Sequence, residues 1–166
     1  EWKKETFKNN PTWRIGDTYN TAIGQYGFQV TPIQVVRAVS AIANGGKLLN
    51  PSIVMDRPVD AVKSIDIKED DFKVVREGMR GAVQYGTAVG LNIPQVEVAA
   101  KTGTVELGTA KKFVNSWVVG FFPYKNPKYA FAVLMERGPS VNLIGGLYVM
   151  RELLDWMSVN APQYLE

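Results

Sequence analysis

The most informative segment of the sequence is Val96-Glu97-Val98-Ala99-Ala100-Lys101-Thr102-Gly103-Thr104-Val105-Glu106, which is typical of an extended strand. Within it, Lys101-Thr102-Gly103-Thr104 supplies a cation, two hydroxyls and a glycine, and these groups suit a site that holds a carboxylate. Gly103 has no side chain, so a ligand backbone can approach the strand closely. At a sheet edge, the unpaired N–H and C=O groups can also accept an extended peptide as one more strand. The Lys-Thr-Gly tripeptide alone is a weak signal, and a solvated lysine near a turn is the competing interpretation.

Two further strands follow, Ser116–Phe122 and Lys128–Glu136. The segment between them, Pro123–Pro127, is short and rich in turn residues, which suits a hairpin. We expect residues 96–106 to pair with Ser116–Phe122 and to expose their other edge as a binding groove. Strand alternation puts Lys101 and Thr102 on opposite faces, so a ligand can use both only at the rim of an edge strand.

A first helix is predicted ahead of these strands. It begins at Thr31-Pro32-Ile33-Gln34, where Thr31 is the expected N-cap, Pro32 the first helical residue and Gln34 the partner that completes a capping box. The helix ends at Asn44-Gly45-Gly46, a glycine stop signal. It is apolar nearly all round, so we expect it to be buried.

Two more helices complete the predicted elements. One carries Glu69, Asp70 and Asp71 in its first turn, where acids suit the helix dipole, and the last runs from about Leu147 to Met157. Their expected apolar faces are Phe72, Val75, Met79 and Val83, and then Leu147, Met150, Leu153, Leu154 and Met157. Residues 1–20 read as loop, and residues 51–66 as a linker with at most two short strands. The predicted fold class is α/β, of the α+β kind, with a partial antiparallel sheet packed between helices.

Composition excludes several kinds of chemistry. The 166 residues contain neither cysteine nor histidine, so no disulfide, thiol catalysis, Ser-His-Asp triad or histidine metal ligand is possible. A net charge of +3 without a basic block gives no support for nucleic acid binding. No apolar run is as long as a membrane span, and Glu1-Trp2-Lys3-Lys4 is not a signal peptide. We expect the chain to begin within a larger protein.

Six segments in order carry a resemblance to a known family. They are Ile23-Gly24-Gln25-Tyr26-Gly27, Thr31-Pro32-Ile33-Gln34, Ala43-Asn44-Gly45-Gly46, Gly86-Thr87-Ala88, Ala100-Lys101-Thr102-Gly103-Thr104 and Trp117-Val118-Val119-Gly120-Phe121-Phe122-Pro123. Together they resemble the C-terminal part of a penicillin-binding protein transpeptidase domain, which has the serine penicillin-recognising enzyme (β-lactamase/transpeptidase-like) fold. The opening Glu1-Trp2-Lys3-Lys4 and Gly16-Asp17-Thr18 resemble the class B, elongation-type penicillin-binding protein 2 group.

Two of the family's three motifs are missing from this sequence. No serine has a lysine three positions on, so S-x-x-K, which carries the nucleophile, is absent. Ser140-Val141-Asn142 and Ser158-Val159-Asn160 fit S-x-N in letters, but both follow the Lys-Thr-Gly motif instead of preceding it. We expect residues 1–166 to form the third-motif half of a single transpeptidase domain, with the catalytic serine supplied from elsewhere.

The resemblance implies a peptidoglycan D,D-transpeptidase that cross-links stem peptides through an acyl-serine enzyme. Lys101, Thr102 and Thr104 would hold the substrate carboxylate, Gly103 would let the peptide lie along the strand, and the Thr104 N–H would complete the oxyanion hole. Lys101 and Thr104 are thus the catalytic candidates, and no metal or organic cofactor is required. The implied partners are D-Ala-D-Ala stem peptides, β-lactam antibiotics, the N-terminal remainder of the protein, and cell-elongation scaffold and glycan polymerase proteins. The implied location is periplasmic, on an inner-membrane protein anchored upstream.

Two alternatives stay open. A serine β-lactamase would hydrolyse the same acyl-enzyme, and a non-catalytic β-lactam sensor or degenerate partner would only bind. The Gly24–Gln34 region favours the penicillin-binding protein. Other conspicuous residues have structural interpretations: Trp117, Phe121 and Phe131 as core, Lys111-Lys112 as a solvated turn, Glu106 as an exposed strand-end acid, and Asp70-Asp71 as helix-dipole partners and not a metal pair.

Overall fold

The structure is a computed structural model that describes residues 1–25, 27, 29–54, 61–108, 110–141 and 145–166. The chain divides into two compact units, Glu1–Thr31 and Pro32–Glu166. The first unit holds helices α1 (Trp2–Thr6) and α2 (Ile15–Ala22). The second unit holds α3 (Pro32–Ala43), β1 (Lys47–Leu49), β2 (Ala61–Ser64), α4 (Glu69–Gln84), β3 (Ala99–Leu107), β4 (Phe113–Phe122), β5 (Tyr129–Pro139) and α5 (Gly146–Asn160).

The two helices of the first unit correct the expectation of loop over residues 1–20. Lys3 and Asp17, both buried, form an ion pair with 2.5 Å between Nζ and Oδ2, and Lys3 also donates to the Thr12 carbonyl at 2.6 Å. The Asp17 carboxylate accepts the backbone N–H of Arg14 at 2.6 Å and so caps the start of α2. Short helices held by such long-range polar contacts show little apolar periodicity, so the sequence pattern did not reveal them.

A three-stranded antiparallel sheet forms the centre of the second unit, in the order β3-β4-β5. In its register, Lys101 lies opposite Val119 and Thr104 lies opposite Ser116. The predicted pairing of the Lys101 strand with the Ser116–Phe122 strand is confirmed. The edge position of β3 is also confirmed, because β3 pairs with one strand among the residues that the structure describes.

Helices cover both faces of this sheet. On one face, α5 packs through Met150 and Leu154 against Val118 and the end of α4, within a cluster of residues that are almost fully buried. On the other, α3 packs through Val39 and Ala43. This second cluster also contains Met79, Ala99 and Phe121. The predicted class, an antiparallel sheet packed between helices, is confirmed, and the sheet is fixed from both sides.

Helix α3 begins at Pro32 and ends at Ala43, as its proline start and glycine stop predict. Gly45 and Gly46 take positive φ angles of 74° and 98°, and the Gly46 N–H donates to the Ala41 carbonyl at 2.7 Å. The expectation that α3 is buried is wrong for its first turn, where Ile33 is 53% exposed. The buried residues of α3 are Val39, Ala41 and Ala43, which lie in its C-terminal half. Tyr26, in the segment quoted just before this helix, lies outside the described residues.

The apolar faces of α4 and α5 need one correction each. The acids Glu69, Asp70 and Asp71 lie in the first turn of α4 as predicted. Val75, however, is exposed, because Arg76 takes the inward position: its guanidinium lies over the rings of Phe121 and Tyr124. In α5, Leu153 is exposed while Met150 and Leu154 are buried, so the buried apolar face of this helix is narrower than the sequence pattern predicts.

The hairpin strands are longer than predicted. Strand β4 begins at Phe113, and β5 extends to Pro139 across a register shift near Asn115. The Asn115 side chain accepts the Arg137 N–H at 2.9 Å, which supports the shift. Strand β1 pairs with β2, the one strand described within the expected linker, and residues 55–60 of that linker lie outside the described part of the chain.

Candidate active-site cleft

The Lys101–Thr104 segment lies along the outer strand of the sheet, beside an open cleft of about 580 Å³. Strand β3 brings Thr102, Gly103 and Thr104 to this cleft. The remaining lining residues come from the turn after α4, from β4 and from α5: Thr87, Gly90, Ser116, Trp117, Gly145, Leu147, Tyr148 and Arg151. The cleft therefore joins the strand edge to the start of the last helix.

Strand alternation separates the two threonines from the lysine. Thr102 and Thr104 share a face and lie opposite Val118 and Ser116, respectively. Lys101 points to the other face, is exposed, and does not line the cleft; its ammonium lies 2.6 Å from the Thr102 carbonyl oxygen. The structure thus gathers three of the four predicted residues at the cleft and leaves the fourth at its rim.

The far side of the cleft depends on a close approach between α5 and β4. The Ser116 hydroxyl accepts the backbone N–H of Gly146 at 3.1 Å. A Cβ on Gly145 would collide with the Ser116 side chain, and one on Gly146 would meet the carbonyl oxygens of Ser116 and Val133 at 3.1 Å. The Gly145-Gly146 pair therefore lets the helix begin directly on the strand that faces Thr104.

Thr87 reaches the cleft from the turn that follows α4. Its hydroxyl oxygen lies 2.7 Å from that of Thr102, and either hydroxyl can be the donor. The sequence offered Gly86-Thr87-Ala88 only as part of a resemblance, and no role for Thr87 was expected. A hydroxyl contact across fifteen residues of sequence carries no periodic signal.

The aromatic residues behave differently from one another. Phe121 is fully buried and Phe131 packs partly buried against the core, as expected. The expectation that Trp117 is a core residue is wrong, because Trp117 is only partly buried and lines the cleft. Trp117 lies opposite Gly103, which has no side chain to cover it.

The charged residues near the hairpin end stay outside the cleft. Glu106 pairs with Lys111 at 2.6 Å, and both side chains are more than half exposed. The hydrogen bond and the charge of Glu106 raise the pKa of Lys111 above its ordinary value of 10.5. The interpretations of Glu106 as a strand-end acid and of Lys111 as a solvated turn residue are confirmed.

Neither serine that resembles the second motif lines the cleft. The Ser158 hydroxyl donates to the Asp155 carbonyl at 2.7 Å at the end of α5. Ser140 follows β5 directly and donates its N–H to the Lys112 carbonyl, while Asn142 lies outside the described residues. Among the residues that the structure describes, no group of three or more acidic side chains could hold a metal ion.

Comparison with known proteins identifies the family. The family described as "Penicillin binding protein transpeptidase domain" matches residues 3–148, so the chain belongs to that family. The serine penicillin-recognising fold predicted from the sequence is confirmed by solved structures of this family. No helix in the described part of the chain has the length and apolar character needed to cross a membrane.

Several relatives belong to the penicillin-binding protein 2 group, as predicted. Peptidoglycan D,D-transpeptidase MrdA of Escherichia coli strain K12 is 30% identical over 183 residues, covering 93% of this chain and 28% of that protein. The structure of penicillin-binding protein PBP2 from Helicobacter pylori matches with a TM-score of 0.71 and 32% identity, covering 98% of this chain and 29% of that one. The same protein in complex with MreC matches with a TM-score of 0.72 and 30% identity, covering 95% of this chain and 30% of that one.

The structure of a third relative was solved as an acyl-enzyme complex. The imipenem acyl-enzyme complex of penicillin-binding protein A from Mycobacterium tuberculosis matches with a TM-score of 0.66 and 29% identity, covering 82% of this chain and 32% of that one. The chain spans between about a fifth and three tenths of the length of the curated relatives that it matches.

Proposed function

We propose that this chain is the third-motif half of a single transpeptidase domain, in an elongation-type peptidoglycan D,D-transpeptidase. The observation that carries the proposal is the edge strand β3, whose Thr102, Gly103 and Thr104 line an open cleft. An edge strand with hydroxyl donors suits a peptide that ends in a carboxylate, because main-chain bonds hold the peptide and the hydroxyls hold its end. The catalytic serine and its lysine belong to the remainder of the protein.

The proposed reaction divides the work between the two parts. The serine oxygen attacks the carbonyl between the two terminal D-alanines of one stem peptide, its proton passing to a nearby base. The C–N bond then breaks and D-alanine leaves with that proton on its amine. An amine of a second stem takes the acyl group from the serine and completes the cross-link.

Within this reaction, β3 binds and orients. Thr102 and Thr104 hold the carboxylate through their hydroxyls, and Lys101 supplies positive charge from the rim of the strand. Gly103 leaves room for the peptide backbone. The Thr104 N–H is the proposed second donor of the oxyanion hole, beside the N–H of the serine; donors of this kind contribute about 2.7–4 kcal/mol to lowering the barrier.

The proposed partners follow from the same assignment. The Helicobacter pylori relative was solved in complex with MreC, which supports a cell-elongation scaffold protein as a partner here. A glycan polymerase is the second proposed partner, because cross-links join newly made strands. We place the cleft outside the cytoplasm, in the periplasm, where stem peptides are cross-linked, on a protein anchored in the inner membrane by an upstream segment.

Labelling of the full-length protein with a fluorescent penicillin tests this function. We expect one covalent label that survives denaturing electrophoresis, is blocked by unlabelled penicillin and is lost slowly. Rapid loss of label with turnover of the drug would identify a β-lactamase instead. Absence of any label would identify a degenerate partner. Formation of cross-linked stem dimers from lipid-linked substrate with a glycan polymerase then separates a transpeptidase from a sensor.

A further inference from the structure

The contact between Thr87 and Thr102 joins a turn outside the sheet to the proposed carboxylate site. The two hydroxyl oxygens are 2.7 Å apart, and both residues line the cleft. Thr102 belongs to β3, whereas Thr87 follows the end of α4 at Gln84. Thr87 is therefore within hydrogen-bond distance of the Thr102 hydroxyl.

A bound carboxylate would fix the direction of this hydrogen bond. A hydroxyl has one proton to donate and two lone pairs that accept, whereas an ionised carboxylate only accepts. Thr102 must then donate its proton to the carboxylate. Its contact with Thr87 survives only if Thr87 donates to Thr102. Such a chain also strengthens the outer bond, because successive hydrogen bonds polarise one another.

We propose that Thr87 is a positioning residue that donates to Thr102 and so holds the Thr102 hydroxyl ready to bind the carboxylate of a stem peptide or β-lactam. This inference rests on the proposed function, because it needs Thr102 to contact that carboxylate. Thr87 itself touches Thr102 and not the reacting atoms.

The turn that carries Thr87 is firmly held, as a positioning role requires. The Ala88 N–H donates to the Ala82 carbonyl at 2.9 Å, and Ala88 and Leu91 are both fully buried. Farther along, an Arg151 Nη1–H from α5 donates to the Gly90 carbonyl at 2.9 Å. The Thr87 hydroxyl is thus presented from a segment tied to both α4 and α5, so little ordering is left for ligand binding to provide.

A purely structural clip between the turn and β3 is the competing interpretation. A clip would change the stability of the fold, and its loss would affect every ligand to the same degree. A positioning residue acts only on the hydrogen bond to the carboxylate. Removing it should therefore slow acylation by a ligand with a free carboxylate and not by one whose carboxylate is masked.

The test uses full-length protein and two ligands, a penicillin and its methyl ester, whose carboxylate is masked. We expect Thr87→Val to lower the second-order acylation rate by the free acid about fivefold, the size of one neutral hydrogen bond. Acylation by the ester should stay at the slow wild-type rate. Thr87→Ser, which keeps the hydroxyl, should restore the free-acid rate, and Thr87→Ala repeats the loss without a branched side chain.

Two controls decide between positioning and a clip. In the Thr87→Val, Thr102→Val double variant, the rate with the free acid should equal that of Thr102→Val alone, since the two hydroxyls act as a unit. Ser158→Ala, which removes a hydroxyl-to-backbone bond at the end of α5, should leave both rates unchanged. Equal slowing with acid and ester, additive losses, or a wild-type rate for Thr87→Val would overturn the proposal. A wild-type protein that penicillin never labels would instead refute the proposed function itself.

Discussion

At the residue scale, Lys101 provides a charge that the fold uses little. It is exposed, and its ammonium donates to the carbonyl of the next residue at 2.6 Å. We predict that Lys101→Ala in the full-length protein slows acylation by penicillin about ten- to a hundredfold, because the positive charge beside the proposed carboxylate site is lost. The melting temperature should stay near wild type, because exposed charges contribute little to folding.

Lys112→Ala is the matched control for Lys101, since Lys112 is an exposed lysine on the turn before β4 and does not line the cleft. It should change neither the rate nor the melting temperature. A large loss of melting temperature with normal acylation in Lys101→Ala would show that Lys101 is a structural lysine.

Thr104 offers a second residue-scale test. Thr104→Val keeps the branched shape that suits a strand and removes only the hydroxyl. We predict that acylation becomes slower because the transition state loses about 1.5–3 kcal/mol of stabilisation, the usual effect of one hydrogen bond to a charged group. Thr104→Ser should recover most of that loss. If the valine variant reacts at the wild-type rate in stopped-flow acylation, the hydroxyl does not touch the ligand.

The predictability of the site also differs from residue to residue. Lys101, Thr102, Gly103 and Thr104 could be singled out because they are consecutive in one strand, so alternation alone relates their side chains. Thr87 and Ser116 reach the cleft only when the α4 turn and β4 close around β3. Trp117 was misassigned because its exposure depends on the missing side chain of Gly103 across the pair.

At the element scale, a glycine of the cleft and the first glycine of α5 should respond differently to substitution by alanine. A Cβ on Gly103 would meet only Trp117, at an ordinary 3.6 Å, whereas one on Gly146 would meet sheet backbone atoms at 3.1–3.2 Å. We predict that Gly103→Ala folds normally and reacts slowly with penicillin, because the methyl group occupies the path of the ligand backbone. Gly146→Ala should lower the melting temperature, because α5 has to move off β4. Thermal melts and acylation rates of both variants check this; a stable Gly146→Ala or a fast Gly103→Ala would contradict it.

The β3–β4 hairpin should carry a small pH-dependent contribution. Glu106 raises the pKa of Lys111, so the pair stabilises the folded hairpin while Lys111 is protonated. That contribution is complete below the ordinary lysine pKa and is lost as the pH rises through the raised value. Lys111→Met should therefore melt slightly below wild type at neutral pH, and the difference should vanish in strongly alkaline buffer. It should also shrink at high salt, since both groups are exposed. A difference that persists unchanged at high pH would show that it does not come from the charge.

Long elements could be predicted better than short ones. Capping residues and runs of apolar residues marked α3, α4, α5 and the β4–β5 hairpin, because each spans several turns or strand repeats. Helices α1 and α2 are held by the buried Lys3–Asp17 pair, which joins positions fourteen residues apart. The Val75 error has a similar cause: Arg76 packs inward on two aromatic rings, a contact that a hydrophobic pattern cannot show.

At the scale of the whole molecule, the outer strands of the described sheet, β3 and β5, each pair with one strand. Strand β5 runs for eleven residues and, in the described part of the chain, pairs on one side only. Relatives are more than three times as long as the matched region. Long open edges are normally covered or paired in native proteins. We therefore propose that the remainder of the protein completes the sheet and brings the catalytic serine to the free side of β3.

In the proposed function, β3 of this chain holds the carboxylate of the acylating ligand. A crystal structure of the full-length protein acylated by penicillin tests it most directly. We predict that the penicillin carboxylate lies within hydrogen-bond distance, about 2.5–3.0 Å, of the hydroxyl oxygens of Thr102 and Thr104, with Thr87 still bonded to Thr102. An acyl-enzyme whose carboxylate lies away from both hydroxyls, or a ligand bound at another edge of the sheet, would contradict the account.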